Sequence, residues 1–144
     1  MPKTDTTSVP VRVNPAHLEG KGLEVTPSMP SSPEGTHGHM LEGANVTSSM
    51  TTAYEGDIVV IVMQSSGPTK TQIVDISYDE FVQILAGGLI LTNDKGESHH
   101  FATGDTLVIP KGFTGTLETT GEPFRELVVI EKNSFEADLV RLEE

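Results

Sequence analysis

The sequence predicts an all-β domain, built as a closed barrel or sandwich of short antiparallel strands. Three observations carry that reading. Short runs rich in β-branched and aromatic residues recur along the chain, each bounded by Gly, Pro, Asn or Asp. Almost no stretch repeats its apolar residues at helical spacing. Between Tyr78 and Gly115, three reversals follow in quick succession: Asn93-Asp94-Lys95-Gly96, Gly104-Asp105 and Pro110-Lys111-Gly112. In each, Gly relieves the bend, and in the last Pro also fixes φ.

Taken in order, residues 1–8 are polar and without periodicity. Val9, Val11 and Val13 then alternate with Pro10, Arg12 and Asn14. This is a period-2 pattern that Pro10, lacking an N–H, confines to a sheet edge. Ala16–Leu23 has room for one helical turn. Residues 21–49 are rich in Pro, Gly, Ser and Thr, with Pro27, Pro30 and Pro33 close together, and read as a surface excursion. Strands are expected at Val46–Tyr54, at the continuous apolar run Ile58–Met63, and at the alternating Thr69–Ser77. Phe81–Thr92, Ser98–Ala102 and Thr106–Ile109 follow. Thr116–Thr119 and Arg125–Glu131 are expected on either side of a turn at Thr120-Gly121-Glu122-Pro123. Asn133 with Glu136 fits a capping box for a short C-terminal helix, whose Phe135, Leu139 and Leu142 would share one face. The organisation expected is therefore an irregular segment over 1–45, with an edge strand near 9–13, and a barrel over 46–144 closed by a short helix.

At 144 residues the chain suits one domain with a single core. It has no cysteine, so disulfide and thiolate chemistry are excluded. A net charge of −12 argues against a nucleic-acid partner, because phosphates would be repelled. No run is long and apolar enough for a membrane-spanning helix, and the first residues lack a basic-then-apolar leader. A cytoplasmic protein is the expectation.

The stretch from residue 78 to 115 resembles the cupins, which are small jelly-roll barrels. Gly104, Pro110 and Gly112 stand at the spacing of the second cupin motif, and Glu80 and Gly87 match the latter half of the first. Asp79-Glu80-Phe81, Leu85, Gly87, Gly104-Asp105 and Pro110-Lys111-Gly112-Phe113-Thr114-Gly115 are similar to the single-domain group of ureidoglycine aminohydrolase and the ethanolamine-utilisation cupin. The resemblance covers about residues 50–132. It implies an all-β cupin double-stranded β-helix, a homodimer, and a small polar metabolite in the barrel, nitrogen-bearing ones among the candidates. The related cupins often lay their first strand against a partner, which points to Val9–Val13.

The same resemblance places four metal ligands, of which this chain keeps one. The two histidine positions of the first motif fall on Ile73 and Asp75, the glutamate on Glu80, and the last histidine on Gly115. Isoleucine and glycine side chains bind no metal, and typical transition-metal sites need at least three protein ligands. No metal or other cofactor is therefore expected. The family's tryptophan is replaced by Leu117. His37-Gly38-His39 lies in the excursion, well upstream of the motif. His99-His100 reads as surface or core histidine, and His17 stands alone. Which of these could build a non-standard metal site is left open.

Glu80 is the candidate catalytic residue. Two readings stand side by side: an acid or base made so by burial in an apolar cavity, or a carboxylate that holds backbone donors near the barrel mouth. Asp75, Glu80, Val82 and Leu117 are the expected ligand-binding set. Asp75 would push the Glu80 pKa higher if both faced inward. Tyr78 and Asp79 are assigned to turn and rim, and Asp105 to the turn. Three functions remain: a small-molecule-binding cupin, an enzyme similar to ureidoglycine aminohydrolase, and a non-catalytic accessory or interaction protein.

Overall fold

The computed structural model describes residues 8–26, 34 and 38–134. It has α1 (Pro15–Leu18), β1 (Glu24–Val25), β2 (His39–Glu42), β3 (Ser48–Glu55), β4 (Ile58–Ser65) and β5 (Lys70–Ile73). β6 (Glu80–Asn93), β7 (Ser98–Phe101), β8 (Thr106–Ile109) and β9 (Gly115–Glu131) complete it. Every strand pairing is antiparallel. The ladder runs β1-β3-β4-β9-β5-β2, and β6 pairs β7, β8 and β9. This is the expected all-β jelly roll.

Two long strands roll the sheet up. The first half of β6 pairs the last half of β9, from Phe81↔Val129 to Ala86↔Arg125. The second half of β6 pairs the first half of β9, from Gly88↔Thr120 to Asn93↔Gly115. Between the halves both strands bend, and the bend needs glycine. Gly87 has φ +77° and Gly121 φ +107°. A Cβ on Gly121 would stand 2.9 Å from the Gly87 Cα, and one on Gly87 would collide with the Thr120 carbonyl. Thr120–Pro123 is therefore a bend within one continuous strand, where the sequence reading placed a turn between two.

Alternation sets the interior. Val59 and Ile61 of β4, Val82, Ile84, Leu89 and Leu91 of β6, and Leu107 and Ile109 of β8 are buried. So are Phe124, Val128 and Ile130 of β9. Fully burying one such side chain contributes roughly 1.5–3 kcal/mol. The opposite phase faces out: Phe81 is 40% exposed and its cross-strand partner Val108 is 58% exposed.

The local turn chemistry follows the sequence. Asn93 Oδ1 accepts from the backbone N–H groups of Lys95 and Glu97, and Gly96 has φ +83°. Asp105 Oδ2 accepts from the Ala102 N–H at 2.8 Å, which fixes the reversal at Gly104. Asn14 caps α1 by accepting from the Ala16 N–H. On the outer face, Arg125 donates through Nε to the Leu18 carbonyl and through a guanidinium nitrogen to Gln64, so α1 is tied to β4 and β9.

Four expectations are corrected. Val9–Val13 forms no strand, and Val9 and Val11 are exposed. The excursion is less irregular than its composition suggests: it holds β1 on the edge of β3 and β2 on the edge of β5. The expected strand Thr69–Ser77 ends at Ile73, because Asp75 takes φ +46° and breaks the alternation. A helical turn begins at 132–134, so Asn133 lies within it and is not its cap. Glu136, Phe135, Leu139 and Leu142 lie outside the described residues, as do residues 1–7 and His37.

Candidate functional site

Glu80 opens β6 and is half-buried. It pairs Ile109 of β8, and Val82 and Ile84 follow it in the same phase, both fully buried. Side chains two apart in a strand share a face, so Glu80 faces the barrel interior.

A second carboxylate stands in that interior. On β9, Glu126 lies in phase with Phe124, Val128 and Ile130. It is directly across from Ile84 on one side and Met63 on the other. Its carboxyl is surrounded by protein, yet the residue keeps some accessible surface. That combination belongs to a side chain lining the inside of a barrel. Burial raises its pKa from the ordinary 4.5 to about 8, and the nearby charge of Glu80 raises it in the same direction. Glu126 is thus a carboxylic acid at neutral pH, next to a second carboxyl group. Such a pair can hold and pass a proton.

Asp75 does not join them. It is exposed, its backbone is left-handed, and its N–H donates to Thr114 Oγ1 at 2.8 Å. The like charge that acts within the interior pair is supplied between Glu80 and Glu126. Val82 is fully buried, so it packs the core and offers no surface to a ligand. Leu117 is half-buried against the core and keeps an accessible side. Tyr78 is a core residue, not a rim residue, whereas Asp79 does serve the turn: its Oδ1 accepts from the Lys111 N–H at 2.8 Å.

The positions expected to hold a metal do not fit one. Ile73 is buried and apolar, and it pairs directly with Gly115. A Cβ at Gly115 would collide with the Thr92 carbonyl, so that position is filled by neighbouring backbone. His39 lies on β2 across from Gln72, in the phase opposite to Met40. Met40 faces Thr71, which shares its phase with the buried Ile73. His99 and His100 are exposed on β7. Among the described residues no three His, Cys, Asp or Glu side chains stand together as a metal site.

Comparison with known proteins agrees with this architecture. Residues 59–125 match the family described as the EutQ-like cupin domain. Over that stretch the chain is similar to the EutQ-like cupins. A comparison with curated proteins finds no match. Among solved structures, the chain resembles a protein of unknown function from Pseudomonas syringae pv. tomato, at 19% identity and a TM-score of 0.58. That likeness covers 74% of this chain but only 43% of the Pseudomonas protein. The polyketide cyclase RemF of Streptomyces resistomycificus is 18% identical with a TM-score of 0.53, over 91% of this chain and 79% of the cyclase. A putative ethanolamine utilization protein EutQ of Salmonella typhimurium LT2 is 23% identical over 58% of this chain and 68% of its own, with a TM-score of 0.45. At these identities the likeness shows the fold, which hosts many chemistries.

Glu126 was legible in principle. Arg125–Glu131 reads as a strand, and Phe124, Val128 and Ile130 mark its buried phase. A glutamate in step with those residues must face inward. No cupin ligand position falls within residues 125–131, so phase alone marks Glu126.

Proposed function

We propose that this cupin binds a small polar metabolite inside its barrel, at a site centred on Glu80 and Glu126. The observation that carries the reading is the pair itself. Two carboxyl groups face an otherwise apolar interior, one of them kept protonated by burial and by its neighbour's charge. A fold gains nothing in stability from burying such a pair without compensation, whereas a site that recognises or protonates a ligand uses it directly. Leu117, half-buried at the interior, is offered as an apolar contact.

The same pair favours a second reading, an enzyme acting on a small nitrogenous metabolite. A carboxylic acid protonated at neutral pH can donate to a leaving group while a partner carboxylate accepts a proton.

The test is a thermal-shift screen of small amines, amides and hydroxy acids, then titration calorimetry of each hit. Glu80→Gln and Glu126→Gln should each weaken a hit by about tenfold to a hundredfold, as expected for loss of a charge-assisted hydrogen bond. Affinities equal to wild type in both variants would remove the pair from the site.

The cupin is further proposed to be a cytoplasmic homodimer. No helix among the described residues is long and apolar enough to cross a membrane. Val9 and Val11 are exposed and join no ladder among the described residues, as suits a segment completed by a second copy. Sedimentation should give a dimer at micromolar concentration, and deletion of residues 1–14 should shift it to monomer. A monomeric full chain, or a dimer unchanged by the deletion, would end that proposal.

A further inference from the structure

One buried polar atom near the pair has no role in the fold. The Ser65 hydroxyl oxygen is buried and has no hydrogen-bond partner. Native chains rarely leave such a group unpaired, because its lost hydration is not replaced. Its position gives it a use. Ser65 pairs directly with Phe124 on β9, and Met63, two residues before it, pairs with Glu126. Phe124 belongs to the core, so Ser65 faces the same interior and is the diagonal cross-strand neighbour of Glu126.

The surroundings select the ligand. Met63 and Ile84 stand on the Glu126 rung, with Phe124 and Val128 on either side of it along β9. Met63 is 37% exposed, so solvent reaches this rung. β6 also carries Glu80, four residues before Ile84, and its charge acts on Glu126. β4 presents Ile61 and Met63, and β8 presents Leu107 and Ile109, so neither contributes a titratable or charged group.

We infer that Ser65 and Glu126 form a subsite for a small protonated amine, whose nitrogen donates to both while its hydrocarbon body rests on the accessible Met63. The inference rests on the barrel interior being a ligand site, as proposed above. An ammonium group has three donors and no acceptor, so it satisfies a serine lone pair and a carboxylate together. The negative charge of Glu80 acts on Glu126 in the sense that favours a cation there and opposes an anion. The net charge of −12 does the same at longer range. Because Glu126 holds a proton at neutral pH, the entering ammonium displaces it. The amine arrives already protonated, the O–H bond of Glu126 breaks, and that proton passes to the buffer.

The probes are n-butylammonium chloride, butyramide and sodium butyrate, titrated calorimetrically at about pH 6.5 in phosphate and in MOPS, whose ionisation enthalpies differ. Butylammonium should bind at least about tenfold more tightly than the neutral and anionic probes, releasing about one proton per site. Ser65→Ala should weaken it about tenfold, yet leave the ligand-free melting temperature equal or higher, since an unpaired hydroxyl is removed. Glu126→Gln should abolish the proton release. Butyramide or butyrate binding as well as butylammonium, in a manner sensitive to Glu126→Gln, would overturn the amine class while leaving the site in place. Binding without proton release, or unchanged by Ser65→Ala, would overturn the subsite. Silence from all three probes, together with no hit in the wider screen, would take down both the inference and the site it rests on.

Discussion

Glu126→Gln should flatten the pH dependence of stability between about pH 4.5 and pH 8, and stabilise the protein most at the alkaline end of that window. Below 4.5 the glutamate is protonated in the folded and unfolded chain alike, and its contribution is fully favourable. Between 4.5 and about 8 the folded chain keeps a proton that the unfolded chain has released. Each unit of rising pH in this range therefore favours the unfolded state, by at most about 1.4 kcal/mol. Above 8 both states are ionised and the loss is complete. Glutamine is neutral throughout, so the slope attributable to this position disappears. Urea titrations of both proteins at half-unit pH intervals read the difference directly. Parallel stability profiles would show that Glu126 is not protonated in the folded chain.

The Glu80→Gln profile separates the two causes. Burial is the larger contribution to the raised Glu126 pKa, and the Glu80 charge the smaller. Removing that charge should shorten the sloping window from its alkaline side without eliminating it. If the window vanished, the charge would outweigh the burial and the apolar character of the site would be in question.

How much of this was legible depended on how local the determining chemistry was. Asn93, Gly96, Gly104 and Asp105 fix their turns through their own side chains and backbone freedom, so short motifs sufficed to place them. The inward phase of β6 and β9 was readable because Val82, Ile84, Val128 and Ile130 alternate cleanly. β2 was not readable. His39-Met40-Leu41-Glu42 has no alternation of its own, and it is a strand because the edge of β5 accepts it. Val9–Val13 fails for the converse reason: it has the alternation and no described ladder to join. Asp75 stands at a ligand position of the family motif, yet its φ of +46° takes it out of the strand's phase. The site was half legible. Glu80 carries a family motif, whereas Glu126 carries only a phase, and a phase gains meaning once the opposite wall of the barrel is known to be apolar.

Gly115→Ala should destabilise the fold by on the order of 3 kcal/mol, and Gly115→His by more, without creating a metal site. The resemblance to metal-binding cupins makes position 115 the obvious place to restore a ligand. The packing forbids it. Gly115 starts β9 where that strand crosses the end of β6, pairing both Asn93 and Ile73. An added Cβ would collide with the Thr92 carbonyl oxygen and stand 2.9 Å from the Asn93 Cα. Those are backbone atoms held in the β6–β9 ladder, so they cannot swing aside as a flexible side chain would. The first atom of any side chain here therefore separates the two long strands that roll up the sheet. Chemical denaturation of the alanine variant measures that cost, and elemental analysis of Gly115→His after dialysis against zinc and manganese measures the gain. A variant that folded with wild-type stability would show that the crossing is loose. One that also retained about one equivalent of metal would show that position 115 opens onto the interior, and the Glu80–Glu126 pair would then have to be reconsidered as part of a metal centre.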